Sequence, residues 1–193
     1  MSIEQLKQLR EETGISMMDC KKALEESNGD IEKAKKILRE KGKETIKGRE
    51  GKSACQGIIE SYIHPGSQVG VLLKLQCETD FVAKSEEFKK LSHEICLQIA
   101  ATKPLFVKDE DIPEDFLDEE RKIYQKQFSD SEKPEEIVGK IIEGKLSKYK
   151  KEISLLSQDW VKDTTKTITN LLNDYIAKTG EKIEIGDFTR YEI

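Results

Sequence analysis

Val69-Gly70-Val71-Leu72-Leu73-Lys74-Leu75-Gln76-Cys77-Glu78-Thr79-Asp80-Phe81-Val82-Ala83-Lys84 is the stretch whose reading decides the fold. Its first half alternates: Val69, Val71, Leu73, Leu75 and Cys77 fall on one face of an extended chain, and Gly70, Leu72, Lys74 and Gln76 on the other. That pattern predicts a strand. Ser85 then suits the N-cap of a helix whose first turn carries Glu86 and Glu87, where the helix dipole favours acids. Between strand and helix stand an acid and an aromatic, Asp80 and Phe81. A hydrophobic staple would put its apolar residue directly before the cap, and that residue is Lys84, so stapling does not account for Phe81. Two readings stay open: Phe81 packs back under the sheet, or a rigid turn presents it to a partner with a carboxylate beside it.

Upstream, Gln56 to His64 is rich in β-branched and aromatic residues, and Pro65-Gly66-Ser67 supplies a turn, so a hairpin leads into the strand at Val69. Downstream, Phe88, Leu91, Ile95 and Ile99 line one face of a helix that must end before Pro104. His64 at the turn and His93 off the helical stripe read as solvated residues. Two further helices follow. The first carries Phe116, Leu117, Ile123, Tyr124 and Phe128. The second, with Pro134 at a first-turn position, carries Ile137, Val138, Ile141, Ile142, Leu146 and Tyr149. A short turn over Ser129–Pro134 makes them an antiparallel helical hairpin with charged outer positions, able to project like an arm. Ile153 to Val161 leads to a helix with Ile168, Leu171, Leu172, Tyr175 and Ile176, stopped at Gly180. Ile183 and Ile185 open a last strand that runs to Ile193, with Gly186-Asp187 as a bulge, and this strand is expected to pair with the earlier hairpin.

Residues 1–42 read as short helices. Ile3, Leu6 and Leu9 share a face of the first, which stops at Thr13-Gly14. Ser16 caps the second with Asp19 three residues on, and its apolar positions are Met17, Cys20, Ala23 and Leu24. Asn28-Gly29-Asp30 makes a turn, Asp30 caps the third, and Ile31, Ala34, Ile37 and Leu38 form its inner stripe up to a stop at Gly42. Met17 and Met18 are adjacent and cannot both face one narrow stripe, so either the core is wide or a flexible, polarizable side chain lies on a binding surface. Lys41 to Lys52, glycine-rich and basic, reads as a solvated connector. The expected division is a helical domain over 1–45, a linker over 46–54 and a core over 55–193 with the hairpin at about 108–152. The fold class is α+β with an antiparallel sheet.

The 193 residues allow one large or two small domains, and charged residues at 37% against hydrophobic ones at 36% describe a soluble chain with modest cores. A net charge of −5 argues against a general nucleic-acid binder. No apolar run approaches the roughly 20 residues of a membrane span, and the start Met1-Ser2-Ile3-Glu4-Gln5 has no secretory pattern. Cys20, Cys55, Cys77 and Cys96 are scattered, without metal-ligand spacing, and read as reduced thiols of a cytoplasmic protein. Phosphate-cradling glycine loops, nucleophile elbows, zinc motifs and calcium loops are absent, and Asp109-Glu110-Asp111 and Asp118-Glu119-Glu120 read as solvated acids. The sequence predicts no catalytic residue, no metal, no cofactor and no enzyme.

The run Leu9 to Leu24, then Asn28-Gly29-Asp30, resembles the elongation factor Ts family. So do Cys77 to Lys84, Gln98 to Pro104, and Lys162-Asp163 with Lys166-Thr167. The resemblance covers nearly the whole chain. It implies a guanine-nucleotide exchange factor for the GTPase elongation factor Tu, whose N-terminal helices, similar to ubiquitin-associated domains, rest on the nucleotide-binding domain. Carried over, Arg10, Met17, Met18 and Lys21 contact the partner there, while Thr79, Asp80, Phe81 and Val82 approach its nucleotide site and dislodge Mg²⁺. The helical hairpin matches the family's protruding arm. Departures are Gln158-Asp159-Trp160-Val161, where the family often has Gln-Pro-Phe-Val, and Phe188-Thr189-Arg190-Tyr191-Glu192 for Phe-x-Arg-Phe-Glu. The chain is similar to the family's short forms, which implies a homodimer. A module that recruits polypeptides through its N-terminal helices is the alternative from another class; accelerated GDP release separates the two.

Overall fold

The computed structural model describes residues 2–128 and 134–193; the turn expected between the hairpin helices at 129–133 lies outside the described residues. In chain order the elements are α1 (Ile3–Thr13), α2 (Met17–Glu26), α3 (Ile31–Arg49), β1 (Gln56–Ile63), β2 (Val69–Cys77), α4 (Asp80–Ala83), α5 (Glu86–Thr102), α6 (Glu114–Gln127), α7 (Glu135–Ile153), β3 (Asp159–Trp160), β4 (Asp163–Thr167), α8 (Ile168–Thr179) and β5 (Ile183–Glu192). The fold is α+β: an antiparallel sheet in the order β1-β2-β5, with β3 and β4 pairing separately. Two compact units are formed, one from Met1–Ile59, Lys74–Ser92 and Asn170–Ile185, the other from Glu60–Leu73, His93–Thr169 and Gly186–Ile193.

In the first unit the helix limits follow the expected caps. Ser16 Oγ accepts from the Asp19 amide, Asp30 Oδ1 accepts from the Lys33 amide, and Gly14 closes α1 in the left-handed region at φ 68°. Ser2 completes a reciprocal capping box with Gln5 at the start of α1. Leu9, Cys20, Ala23, Leu24, Ala34 and Leu38 are buried together, flanked by Leu6, Ile15, Ile31 and Ile37. Ile3 departs from expectation and is exposed, because the first helical residue points back beyond the core.

Gly42 does not end α3, as the sequence suggested. It is buried within the helix, where a Cβ would stand 3.1 Å from the Ala177 methyl of α8. Its missing side chain serves close helix approach, and tertiary packing overrides glycine's poor helix propensity. Residues 46–49, expected as connector, are therefore helical, and irregular chain begins at Glu50.

In the second unit, His64 N–H donates to the Val69 carbonyl and Ser67 N–H to the His64 carbonyl, closing the expected hairpin turn. The last residue is tied in by Ile193 N–H to the Gln68 carbonyl at 3.0 Å. Ile112, Leu117 and Ile153 are buried at the base of α6 and α7, with Phe106, Phe116 and Tyr149 against them. The two helices meet further along through Arg121 and Glu143 and through the Lys145 ammonium over the Tyr124 and Phe128 rings. Ile123 and Ile137, among the apolar residues that the two helices carry, are about half exposed, since a helix with one neighbour leaves much of its surface uncovered. Pro134 takes the cap of α7 in an extended conformation, outside the first turn.

The β3–β4 hairpin had no sequence signal, because two residues are too few to show alternation. A buried amide pair holds the chain there. Gln158 Oε1 accepts from Gln98 Nε2 (3.1 Å) and Thr102 Oγ1 (2.6 Å), and the Val161 amide donates to Gln98 Oε1 at 2.9 Å.

Candidate functional site

The segment between β2 and α5 lies in the first unit. β2 buries Leu75 and Cys77 completely, and α5 begins at Glu86 under the Ser85 cap, whose Oγ accepts the Phe88 amide at 3.2 Å. The intervening residues are not a loose turn. Thr79, extended at φ −122°, caps the one-turn helix α4 by accepting the Val82 amide on its hydroxyl at 3.3 Å. Val82 and Ala83 face inward and are buried.

Phe81 has no place in that packing and is 83% exposed. The reading in which it packs under the sheet is thereby excluded for this structure. Its neighbours are all tied down. Asp80 takes the Lys84 ammonium at 2.6 Å, and that hydrogen bond and charge hold its carboxyl below the ordinary range, so Asp80 is ionised at neutral pH. The pair is exposed, so it orients more than it stabilises. Cys77 donates its thiol hydrogen to the Thr79 carbonyl at 3.1 Å, and burial pushes that thiol up. The geometry is an aromatic ring on a fixed single turn beside a carboxylate, with no ring contact of its own recorded among the described residues.

Four residues whose roles the sequence did not show hold this turn. Glu78 receives Arg49 Nη1 from the end of α3 at 3.0 Å and the Lys182 amide at 2.6 Å. Glu181 receives the Thr79 amide at 3.0 Å and the Thr79 hydroxyl at 2.7 Å. The partners are 102 residues apart in sequence, and the only local hint was an acid placed where a buried strand ends.

The N-terminal candidates lie on α1 and α2 of the same unit. Cys20, Ala23 and Leu24 fill the core face of α2, which leaves Met17 38% and Met18 62% exposed. The wide-core explanation for the methionine pair does not hold. Arg10 is exposed, and Lys21 lies 3.9 Å from Glu25, a distance that leaves its ammonium largely to solvent. Among the described residues no cluster of His, Cys, Asp or Glu could hold a metal ion, and no helix is long and apolar enough to cross a membrane.

The family described as Elongation factor TS matches residues 4–193. The chain is 49% identical over 193 residues to Elongation factor Ts of Thermotoga petrophila, covering 100% of this chain and 96% of that protein. It is 49% identical to the Thermotoga maritima protein over the same spans, and 50% identical over 188 residues to that of Moorella thermoacetica, covering 97% and 93%. With a match that runs from the first helix to the last strand, the chain belongs to the elongation factor Ts family.

Proposed function

We propose that this chain is the guanine-nucleotide exchange factor of elongation factor Tu, acting in the cytoplasm during translation elongation. Family membership supports the partner, and the observation that carries the mechanism is Phe81, exposed at 83% on a turn fixed from both sides. In this reading Arg10, Met17, Met18 and Lys21 dock the helical region on the GTPase, the α6–α7 hairpin adds a contact, and Thr79 to Val82 enter beside the nucleotide. Asp80 and Phe81 displace the groups that hold the partner's Mg²⁺. That ion requires near-ideal octahedral geometry, so a small displacement of its surroundings is enough to release it and loosen GDP.

The energetics are those of linkage. A factor that weakens GDP binding is itself weakened by GDP to the same extent, and each tenfold needs about 1.4 kcal/mol of coupling. No covalent bond is made or broken, so the chain regulates and does not catalyse a chemical step. With a net charge of −5, direct nucleic-acid binding forms no part of the proposal.

The test is stopped-flow release of labelled GDP from elongation factor Tu. Acceleration by the full chain is expected, and its absence would overturn the reading. A second copy of the chain fits the exposed apolar Ile63, Leu72 and Tyr191 of the second unit. Light scattering of the free protein is expected to give a dimer, and a clean monomer would contradict it.

A further inference from the structure

We infer that Glu181 is a positioning residue for exchange, which locks α4 in the orientation that presents Phe81; the inference rests on the function proposed above. A four-residue helix cannot persist by its own hydrogen bonds, so α4 must be held from outside. The threonine hydroxyl has one proton and two lone pairs. Thr79 gives the proton to Glu181 Oε1 at 2.7 Å, which leaves a lone pair aimed at the Val82 amide at 3.3 Å. Its own amide goes to Glu181 Oε2 at 3.0 Å. One carboxylate therefore fixes both the backbone and the rotamer of the residue that caps α4.

Glu181 is itself well placed. α8 ends at Gly180, where φ is +71° and the amide returns to the Ile176 carbonyl at 2.8 Å, so the chain reverses within one residue. The Glu181 amide then donates to Thr179 Oγ1 at 3.3 Å. α8 is seated on α3 through Ala177 against Gly42, and Lys178 lies over Gly14. Next in the chain, the Lys182 amide donates to Glu78, which also binds Arg49 of α3. Residues 181 and 182 thus grip residues 79 and 78 side by side, and the same α3 that bears on α8 also reaches the motif directly.

A carboxylate with only a general structural role would lower folding stability and leave the chemistry of release alone. The test uses the full chain with Glu181→Ala, Thr79→Val and the two combined. In GDP release, Glu181→Ala is expected to lower the limiting rate at saturating factor by about tenfold, with the half-saturating concentration changed less than about twofold. Thr79→Val combined with Glu181→Ala should be no slower than the slower of the two single variants. An unchanged limiting rate, or a loss matched by unfolding at the assay temperature, would overturn the assignment. Amide hydrogen exchange reads the clamp without any partner. Glu181→Ala should speed exchange at Thr79 and Val82 by about tenfold while α5 keeps its protection. Unchanged protection at those amides overturns the clamp. If the unmutated chain releases no GDP while those amides respond, the exchange function falls and the clamp stands.

Discussion

Phe81 carries the functional argument at the scale of single residues. Burying almost nothing, it contributes little to folding, so Phe81→Ala is expected to shift stability by less than about 0.5 kcal/mol. GDP release by the same variant should fall by about tenfold or more, as for a projecting aromatic anchor. Calorimetry beside stopped-flow release checks both, and proportionate losses would return Phe81 to the core. The thiols give an independent reading of burial. Cys20, Cys77 and Cys96 are buried and Cys55 is exposed, with Cys96 pushed up to about 12 by desolvation and the nearby Glu60 charge. A maleimide at neutral pH should label Cys55 rapidly and the other three only after denaturation, as mass spectrometry would record. The caps Ser16, Asp30 and Ser85 were legible because each acts within three residues of itself. The exposure of Phe81 was not, because capping rules state only what a residue fails to do. The capping role of Thr79 was missed because a four-residue helix shows no periodicity.

Among the elements, α3 differs most from its sequence reading. Its glycine was read as a stop because the sequence near it carries no sign of Ala177, which makes the glycine necessary. The same residue type in α7 has no such reason: a Cβ at Gly144 meets no described atom within 4 Å. Gly144→Ala is therefore expected to raise stability by about 0.5–1 kcal/mol through helix propensity. Gly42→Leu should lower it by about 1–3 kcal/mol, since the added bulk is driven against the α8 backbone-borne methyl. Urea unfolding of the two variants checks the pair, and stabilisation by Gly42→Leu would contradict the packing. The long elements α5 and β2 were readable from period, and β1 from its β-branched and aromatic residues ahead of a turn. The β3–β4 hairpin was not, because the Gln98–Gln158 amide pair that fixes it joins residues 60 apart.

For the molecule as a whole, charge determines the pH range of stability. Glu12, held down by Lys35, and Glu192, held down by Lys103, lie below their ordinary 4.5. Asp30, Asp80 and Asp163 lie below 3.8 through hydrogen bonds from Lys33, Lys84 and Thr165 respectively. A depressed carboxyl contributes in full above its unfolded value and loses that contribution as the pH falls through the folded one. Lys35 is raised above 10.5 by Glu12 and Glu32, so its contribution is present below 10.5 and is lost as the pH rises further. The urea midpoint should be flat from about pH 5 to about pH 8.5 and fall outside those limits, the alkaline limb opening with the raised thiols of Cys77 and Cys96, which ionise near 9 once unfolded. Because the carboxyls are exposed, added salt should shrink the acid limb, while the thiol part of the alkaline limb comes from burial and should respond little. A midpoint already falling between pH 7 and pH 5 would point to a buried group instead.

The exposure of Phe81 also separates two kinds of selection at one position. A library of all amino acids at residue 81 should yield chains that fold and express alike, because the site has no neighbours to offend. Sorting the same library by GDP release should keep very few. Variation at 81 would then report on the partner's surface alone, and a change in the GTPase that restores a disabled variant would identify the point the ring touches.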